Sequence, residues 1–315
     1  MEIISQSNYS EIMQRQVEPF LDGICEKGTF CRQQDRPIFY RRYIPAESKG
    51  AVVISHGFTE NGEKFLEMIY YFVKAGFSVY APDHRGHGYS YRHTKDDYSI
   101  THIDSFSDYV DDFIYLCDHL ILERPRFLYA HSMGGCIGAL TLEKRPDIFE
   151  RAVLSSPMLS INTRGLPKSF GLFIAKSEIK RGRDKDRAFI HREFDKNERF
   201  EDSPDDCRER YDYFFKKRLA NKEFQNNCAS YNWVSEALLA TNEVLKGENL
   251  KQVEAPVLLF SADRDNIVTK KGQKRFVEGI KNGQMVSVDS KHEIYFNNDD
   301  VLKMYVGKIL EFLSV

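Results

Sequence analysis

Five short apolar runs, separated by segments of a different periodicity, constrain the fold of this chain most strongly. The runs are AVVISHG (51–57), FSVYAPD (77–83), RFLYAHS (126–132), RAVLSSP (151–157) and APVLLFS (255–261). Nearly continuous apolar strands are typical of a parallel sheet that is covered on both faces. Between and after the runs, apolar residues recur at helical spacing over 65–73, 106–117 and 301–312. This alternation predicts an α/β fold with a mostly parallel sheet of about eight strands, helices on both faces and right-handed crossovers.

Two regions depart from this alternation. Upstream, GTFCRQ (28–33) and PIFYRRYI (37–44) predict an antiparallel hairpin at one edge of the sheet. The stretch 160–250 is charged, aromatic and helical in character, without a convincing strand. We therefore predict a core in two parts, 1–159 and 251–315, with a helical cap inserted between them over the carboxyl ends of the strands. The alternative is a disordered linker, which the recurring Phe, Tyr and Ile residues argue against.

The composition excludes several classes of protein. With 42% hydrophobic and 29% charged residues, the 315-residue chain has enough apolar side chains to bury a core, so disorder is not expected. The formal net charge of −2 argues against a general nucleic-acid-binding surface. We expect a folded protein whose partner is a small molecule rather than a nucleic acid.

Neither a membrane span nor a secretion signal is predicted. No run approaches the roughly 18 consecutive apolar residues of a membrane helix. The N-terminal segment MEIISQSNYSEIMQRQ lacks a basic start followed by an apolar run. The six cysteines are scattered and include no C-x-x-C pair, which favours reduced thiols over a disulfide framework or a zinc site. We predict a cytoplasmic protein, with peripheral contact with a membrane as the alternative.

The segment LYAHSMGG (128–135) places Ser132 at the end of an apolar strand and directly before small residues. In an open α/β sheet, the carboxyl ends of the strands carry the chemistry. A nucleophile elbow needs small neighbours so that strand and helix can approach closely. The usual pattern is G-x-S-x-G, and Ala130 occupies its first position here. Ser132 is therefore a candidate nucleophile, and the alternative is a small polar residue at a tight turn.

A serine hydroxyl needs a base, and the base needs a group that orients it. His292 follows the strand-like segment GQMVSV, and in enzymes with this elbow the order along the chain is serine, acid, histidine. The acid is expected after the preceding strand, where PVLLFSADRDNIV offers Asp263 and Asp265. We favour Asp265, because the acid typically lies three residues before a small apolar residue, here Val268. Asp263 stays the alternative.

Two backbone N–H groups must also face the negative charge that develops on the substrate oxygen. Loss of one such donor typically lowers the rate about 100- to 1000-fold. The predicted donors are Met133, the residue after the nucleophile, and Phe58 in SHGFTEN. His56 in the same segment is expected to shape the turn rather than to carry a proton.

Four short elements thus fall in order at strand ends: HGF, HSMGG, SADRD and KHE. Together they are far more specific than any one of them. They predict that Ser132 is a nucleophile, that His292 takes its proton, and that the aspartate holds the imidazole in the correct tautomer. Such a site needs neither a cofactor nor a metal.

A second group of histidines offers a metal site as an alternative kind of centre. His84, His87 and His93 lie in DHRGHGYSYRH, and His102 follows closely. Metal ligands usually come as two residues on one helix face together with a carboxylate at a defined spacing. This glycine-containing stretch indicates a loop after a strand, so no metal is predicted.

The sequence resembles the α/β-hydrolase branch that contains bacterial lysophospholipases and monoacylglycerol lipases. The resemblance covers about residues 52–296 and is carried by ISHGFTEN, APDHRGHGYS, SFSDYVDDF, LYAHSMGG, SSPM, YNWVSEALLA, SADRDNIV and KHEIYF. It implies an α/β-hydrolase fold with a helical cap over an acyl tunnel. It also implies the same assignments for the nucleophile, acid, base and oxyanion donors. The departures from the family concern the predicted cap, at KSEIKRGRDKDRAF, so the resemblance leaves the head-group preference open.

The expected activity is hydrolysis of a single-chain lipid ester, either a lysophospholipid or a monoacylglycerol, through an acyl-enzyme on Ser132. A short-chain carboxylesterase or another hydrolase on the same scaffold is the first alternative, and a non-catalytic binding protein is the second. The Lys and Arg residues of the cap either attract an anionic interface or a phosphate head group, or form ordinary solvated surface.

Overall fold

An eight-stranded sheet forms the centre of the protein in a computed structural model that describes residues 2–94, 96–189 and 193–314. Its strands are β1 (Cys25–Phe30), β2 (Ile38–Tyr43), β3 (Ala51–Ser55), β4 (Ser78–Pro82), β6 (Arg126–His131), β7 (Arg151–Ser155), β9 (Val257–Ala262) and β10 (Gly283–Val288). Two further short strands, β5 (Ile100–Thr101) and β8 (Cys228–Ala229), pair with each other in a separate parallel ladder.

The strands lie in the order β1-β2-β4-β3-β6-β7-β9-β10. Strand β2 is antiparallel to both β1 and β4, whereas the pairs from β4 to β10 are parallel. The predicted mostly parallel sheet and the predicted edge hairpin are both confirmed. Because the strands from β3 to β10 are parallel, their carboxyl ends lie at one edge, where the predicted site residues follow β3, β6, β9 and β10.

Helices cover both faces of this sheet. They are α1 (Tyr9–Ile12), α2 (Glu18–Asp22), α3 (Leu66–Lys74), α4 (Ser107–His119), α5 (Met133–Lys144), α6 (Lys168–Lys180), α7 (Arg208–Ala220), α8 (Tyr231–Glu243), α9 (Gly247–Leu250), α10 (Lys270–Gly279) and α11 (Asp299–Leu313). Side chains alternate along each strand, so Val53 and Leu128 pack on the face of α4 and α5. Val52 and Tyr129 pack on the opposite face, with α3 and α11. The two cores explain why the strands are apolar at nearly every position.

The described residues between β7 and β9 add no strand to the main sheet. Helices α6 and α8 pack against each other, and α7 packs against α1. Arg210 of α7 is fully buried, with Nε 2.9 Å from Glu67 Oε2 of α3. The division into core parts 1–159 and 251–315 with a cap at 160–250 stays a prediction, and residues 190–192 of that stretch lie outside the described residues.

Among the described residues, no helix combines the length and the apolar character needed to cross a bilayer.

Helix α5 begins so close to strand β3 and to Pro157 that two positions of its first turn, Gly134 and Gly135, have no room for a side chain. A Cβ added at Gly134 would lie 2.0 Å from the carbonyl oxygen of Ser55, and one at Gly135 would lie 2.5 Å from Pro157 Cβ. The first contact is with backbone, which cannot move without displacing the strand. The predicted need for small residues after Ser132 therefore has a direct steric cause.

We predict that Gly134→Ala destabilises the protein by at least about 3 kcal/mol, because the new methyl group overlaps the backbone of β3. Gly307→Ala is the matched control, since Gly307 of α11 is exposed and nothing lies within 4 Å of its added Cβ. Alanine should stabilise that helix by about 0.5–1 kcal/mol. Urea unfolding of both variants measures the two effects, and equal stabilities would contradict the steric account.

Candidate active site

Ser132 lies at the sharp turn between β6 and α5, in a backbone conformation that L-residues rarely adopt. Its φ is 51° and its ψ is −116°. Backbone hydrogen bonds hold this conformation. The Ser132 N–H donates to Ser155 O at 3.1 Å, and the Ser132 carbonyl accepts from Gly135 at 2.9 Å, Cys136 at 3.2 Å and Met158 at 2.8 Å. Strain of this kind costs of order 1–3 kcal/mol and persists only where the surroundings enforce it. The turn presents Oγ at the carboxyl end of the sheet.

The structure brings Ser132, His292 and Asp265 together. His292 Nε2 is 2.8 Å from Ser132 Oγ, and His292 Nδ1 is 2.6 Å from Asp265 Oδ2. The three residues come from the ends of three strands and are far apart along the chain. Asp265 follows Ser132 by 133 positions and precedes His292 by 27. Because Nδ1–H donates to the carboxylate, the lone pair of Nε2 faces the serine hydroxyl. This is the geometry required for proton transfer from Oγ.

Asp265 is held charged by its hydrogen bonds. Its Oδ1 accepts the N–H groups of Ile267 at 2.8 Å and Val268 at 3.0 Å. Burial raises the pKa of Asp265, but the hydrogen bond from His292 and those two N–H groups outweigh it, so that the pKa lies below its ordinary value. The carboxylate therefore stays ionised to lower pH than an ordinary aspartate and favours a positive charge on His292.

Asp263, the alternative acid, points elsewhere. Its Oδ1 accepts from Lys270 Nζ at 2.6 Å, and both side chains are more than 40% exposed. An ion pair in that setting contributes at most about 1 kcal/mol. The residue that contacts His292 is thus Asp265, and Val268, the basis for favouring it, is one of the residues that bond its carboxylate.

One predicted oxyanion donor lines the cavity at Ser132, and the other directly follows Ser132 in the chain. Phe58 and Ser132 both line one cavity, and Met133 is the first residue of α5. Within the described residues, neither N–H donates a hydrogen bond. The first N–H groups of a helix have no partner within it, so that of Met133 is free to bind an anion, as the helix dipole also favours.

The turn that carries Phe58 is fixed by a neutral histidine. His56 Nδ1 donates to Gly57 O at 2.8 Å, and Nε2 accepts the N–H of His84, also at 2.8 Å. Burial lowers the pKa of His56. With both ring nitrogens engaged, this histidine shapes the turn, as the sequence indicated, and has no free position for a substrate.

A buried network of charges behind the histidine was missed by the sequence analysis. Lys64 Nζ is 2.5 Å from Glu293 Oε2 and 3.2 Å from Glu60 Oε1. Tyr295 donates its hydroxyl hydrogen to Glu60. Glu60, Glu293 and Tyr295 are buried, and the Lys64 side chain is only 9% exposed. The sequence indicates one member of this network, because Glu293 directly follows His292.

His131, the residue before Ser132, lies between this network and His292. Its ring centroid is 5.1 Å from that of Tyr295 and 4.9 Å from that of His292, and its Nδ1 donates to Ser155 O at 3.1 Å. Burial, and then the nearby charge of His292, lower the pKa of His131 well below its ordinary value. A neutral ring therefore packs beside His292, and it adds no positive charge that would oppose protonation there.

The four loop histidines do not form one cluster. His84 and His87 lie against His56, with ring centroids 4.4 Å and 5.2 Å away. His93 and His102 lie against each other instead, at 4.9 Å. The two pairs thus occupy different environments.

An apolar cavity of about 480 Å³ opens at Ser132. Its wall comes mainly from the loop after β7 and from α6 and α8, and includes Phe58, Met158, Ile161, Leu166, Phe170, Gly171, Ile174, Trp233, Val234, Leu238 and Ile267. Among the described residues that line it, none is acidic or basic. The volume is typical of a small-molecule site, and the lining suits a hydrocarbon chain.

The arrangement can therefore perform nucleophilic catalysis on an acyl group. It offers a hydroxyl with a neighbouring base, a carboxylate behind the base, two free N–H donors, and an apolar cavity that begins at the hydroxyl.

Comparison with known proteins identifies the family. The family profile described as serine aminopeptidase, S33, matches residues 46–299. The lysophospholipase L2 of Escherichia coli (strain K12) is 27% identical over 306 residues, covering 92% of this chain and 87% of that protein. The monoacylglycerol lipase of Mycolicibacterium smegmatis is 34% identical over 129 residues, which are 39% of this chain and 43% of that protein.

The fold also matches solved structures. The crystal structure of the Paleococcus ferrophilus monoacylglycerol lipase superposes with a TM-score of 0.67 at 23% sequence identity, covering 88% of this chain and 98% of that chain. At this identity the match supports only the fold, and it confirms the expected α/β-hydrolase architecture.

We predict that Asp265→Asn slows covalent labelling of Ser132 by a fluorophosphonate probe by about 1000-fold or more, because the amide no longer fixes the imidazole tautomer. Asp263→Asn is the matched control and should label within twofold of the wild type. Gel-based labelling kinetics measure both rates. An equal loss in the two variants would show that the acid is wrongly assigned.

Proposed function

The chain belongs to the serine aminopeptidase S33 family of α/β-hydrolases, and from that premise we propose that it hydrolyses the carboxylic ester of a single-chain lipid. The observation that carries the proposal is the position of Ser132 Oγ, 2.8 Å from a histidine base and at the wall of an apolar cavity of about 480 Å³. Ser132 therefore carries the proposed nucleophile and also lines the space for an acyl chain.

In the proposed reaction, Ser132 Oγ attacks the ester carbonyl carbon while His292 Nε2 takes the hydroxyl proton. The oxyanion that forms accepts hydrogen bonds from the N–H groups of Phe58 and Met133. Collapse of this intermediate breaks the bond to the alcohol, which leaves with the proton from His292. A water molecule, deprotonated by the same nitrogen, then cleaves the acyl-enzyme and releases a fatty acid. Asp265 stabilises the imidazolium in both halves, and no cofactor takes part.

The cavity favours a lipid ester over a peptide. A free peptide N-terminus is an ammonium group, whose burial requires a carboxylate partner. The described residues that line the cavity include no acid. The relatives named as lysophospholipase L2 and monoacylglycerol lipase support the same class of substrate.

A smaller polar cavity supports a polar leaving alcohol. It has a volume of about 90 Å³ and begins at Thr59, the residue after the oxyanion donor Phe58. Lys64, Asp205, Arg218 and Glu293 contribute both signs of charge to its wall. Lysophospholipids and monoacylglycerols both carry a polar alcohol, so we propose either as the substrate class.

We also propose that the face around helix α6 contacts a lipid surface. Leu166, Phe170 and Phe173 are 60%, 49% and 70% exposed, and the first two also line the apolar cavity. On the same side of α6, Lys176 and Lys180 are exposed and have no carboxylate partner among the described residues. Aromatic side chains flanked by free cations suit an anionic bilayer, which would supply substrate to the cavity mouth.

Parallel incubation with palmitoyl lysophosphatidylcholine and monopalmitoylglycerol tests the activity, with fatty acid followed by mass spectrometry. We expect release from at least one of them, and a loss of about 10,000-fold in Ser132→Ala. Cleavage of acetyl or butyryl esters alone would replace the lipid proposal by a short-chain esterase. Turnover retained in Ser132→Ala would contradict the mechanism.

The cavity can be tested separately with Gly171→Leu. A Cβ at this wall position would have only ordinary contact with Leu238 Cδ1, at 3.6 Å, so the larger side chain fills space that the acyl chain needs. Each buried CH₂ group of the substrate contributes about 0.8 kcal/mol. We expect kcat/KM for palmitoyl esters to fall by about 10-fold or more while butyryl esters are cleaved as before. Parallel loss on both esters would contradict this role of the cavity.

Co-sedimentation of the protein with phosphatidylglycerol vesicles tests the lipid-surface proposal. Phe173→Ser should weaken binding by about 10-fold, since burying a phenylalanine contributes about 1.5–3 kcal/mol. Leu122→Ser is the control, because Leu122 is 86% exposed but precedes β6 at the opposite edge of the sheet. Equal binding by Phe173→Ser and the wild type would reject this surface.

A further inference from the structure

Two histidines and an aspartate, remote from Ser132 along the chain, converge at one point of the loop between β4 and α4. His93 Nε2 is 3.3 Å from Asp104 Oδ2, and His102 Nε2 is 3.8 Å from Asp104 Oδ1. The three ligand atoms lie within 4.8 Å of one another. From this geometry we propose that His93, His102 and Asp104 form a binding site for a divalent transition-metal ion, with Zn²⁺ as the best match. The site does not depend on the proposed hydrolase function.

The distances are close to those around such an ion. Zinc bonds to imidazole nitrogen and carboxylate oxygen are about 2.0–2.2 Å long, so that neighbouring ligands of a tetrahedral ion are about 3.3 Å apart. His93 Nε2 is 3.3 Å from Asp104 Oδ2, and His102 Nε2 is 3.8 Å from Asp104 Oδ1, a separation that would shorten on metal binding. Imidazole nitrogen with one carboxylate is a donor set that zinc accepts readily. Asp104 is 48% exposed, which leaves the fourth position open to water.

His93 supplies the strongest indication of a missing partner. Its side chain is 8% exposed, and its Nε2 is buried without a hydrogen bond in the described structure, despite the short distance to Asp104. A buried polar atom in this state is destabilising. An imidazole nitrogen that is buried and unused in this way is available to bind a metal ion.

His102 is oriented from behind, as metal-bound histidines usually are. Its Nδ1 is 3.0 Å from Ser230 Oγ, which also accepts the N–H of Trp233 at the start of α8. With Nδ1–H as the donor, the lone pair of Nε2 faces Asp104.

One cation competes with the ion directly. Arg36 Nη1 donates to Asp104 Oδ2 at 2.7 Å, and this oxygen is the one nearest His93. The second oxygen, Oδ1, faces His102 and stays available. The arrangement therefore predicts that removing the charge of Arg36 strengthens metal binding, whereas removing either histidine weakens it. A purely structural hydrogen-bond cluster does not predict this opposite pair of effects.

A bound ion would close the segment 93–104 into a loop. This segment contains β5, whose pairing with β8 joins the β4–α4 loop to the chain before α8. Closing the loop would limit its motion and would hold Ser230 through His102. The consequence is a metal-dependent gain in thermal stability.

Zn²⁺ titration by calorimetry and Co²⁺ absorption spectroscopy on the full-length protein test the site. We expect one Zn²⁺ per chain, visible Co²⁺ bands of a four-coordinate ion, and a rise in Tm with Zn²⁺. His93→Asn and His102→Asn each keep a group near the position of Nδ1 and lose Nε2. Each should weaken binding by about 10- to 100-fold or more, since losing only a hydrogen bond behind a ligand already costs that much.

Arg36→Gln should bind Zn²⁺ a few-fold more tightly than the wild type, by removal of the competing charge. His119→Asn is the matched control, because His119 is an exposed helical histidine that bonds only Tyr115 O, and it should bind as the wild type does. Far-ultraviolet circular dichroism of the metal-free variants checks their folding. Unchanged affinity in folded His93→Asn, affinity insensitive to Arg36→Gln, or absence of the Co²⁺ bands in the wild type would each overturn the proposal.

Discussion

Contact between the first turn of α5 and the backbone of β3 is the constraint on which the rest of the site depends. Only a glycine fits at position 134, because a Cβ there would lie 2.0 Å from the carbonyl oxygen of Ser55. This close approach forces Ser132 into its positive-φ turn and leaves the N–H of Met133 free at the helix start. The proposed nucleophile, the helix dipole and one proposed oxyanion donor are thus positioned by packing, before any substrate binds.

The charges around His292 are set by its neighbours. The backbone N–H groups of Ile267 and Val268 hold the Asp265 carboxylate charged, and desolvation keeps the neighbouring His131 ring neutral. His292 therefore has a negative charge on one side and no positive charge from His131 on the other. Because these groups are already in place, little reorganisation is needed when charge develops on the imidazole.

Much of the fold could be predicted because the periodicity of apolar residues and the order of the elements along the chain are read directly from the sequence. The sheet, the edge hairpin and the helices over 65–73, 106–117 and 301–312 follow from them, and the structure contains all of these. The choice of Asp265 over Asp263 also rested on a local feature, the apolar residue three positions later. The Lys64–Glu60–Glu293 network joins residues more than 220 positions apart, so spacing could not indicate it. The separation of His93 and His102 from His84 and His87 likewise depends on how the loop folds back on itself.

The central claim is that Ser132 carries the acyl group of a lipid ester during turnover. Acid quenching of the protein during turnover of palmitoyl lysophosphatidylcholine or monopalmitoylglycerol, followed by intact-mass and peptide-mapping mass spectrometry, tests it most directly. The account predicts a mass increase of one palmitoyl group located on Ser132, and no such adduct in Ser132→Ala. Fatty-acid release accompanied by a palmitoyl adduct on another residue would contradict it.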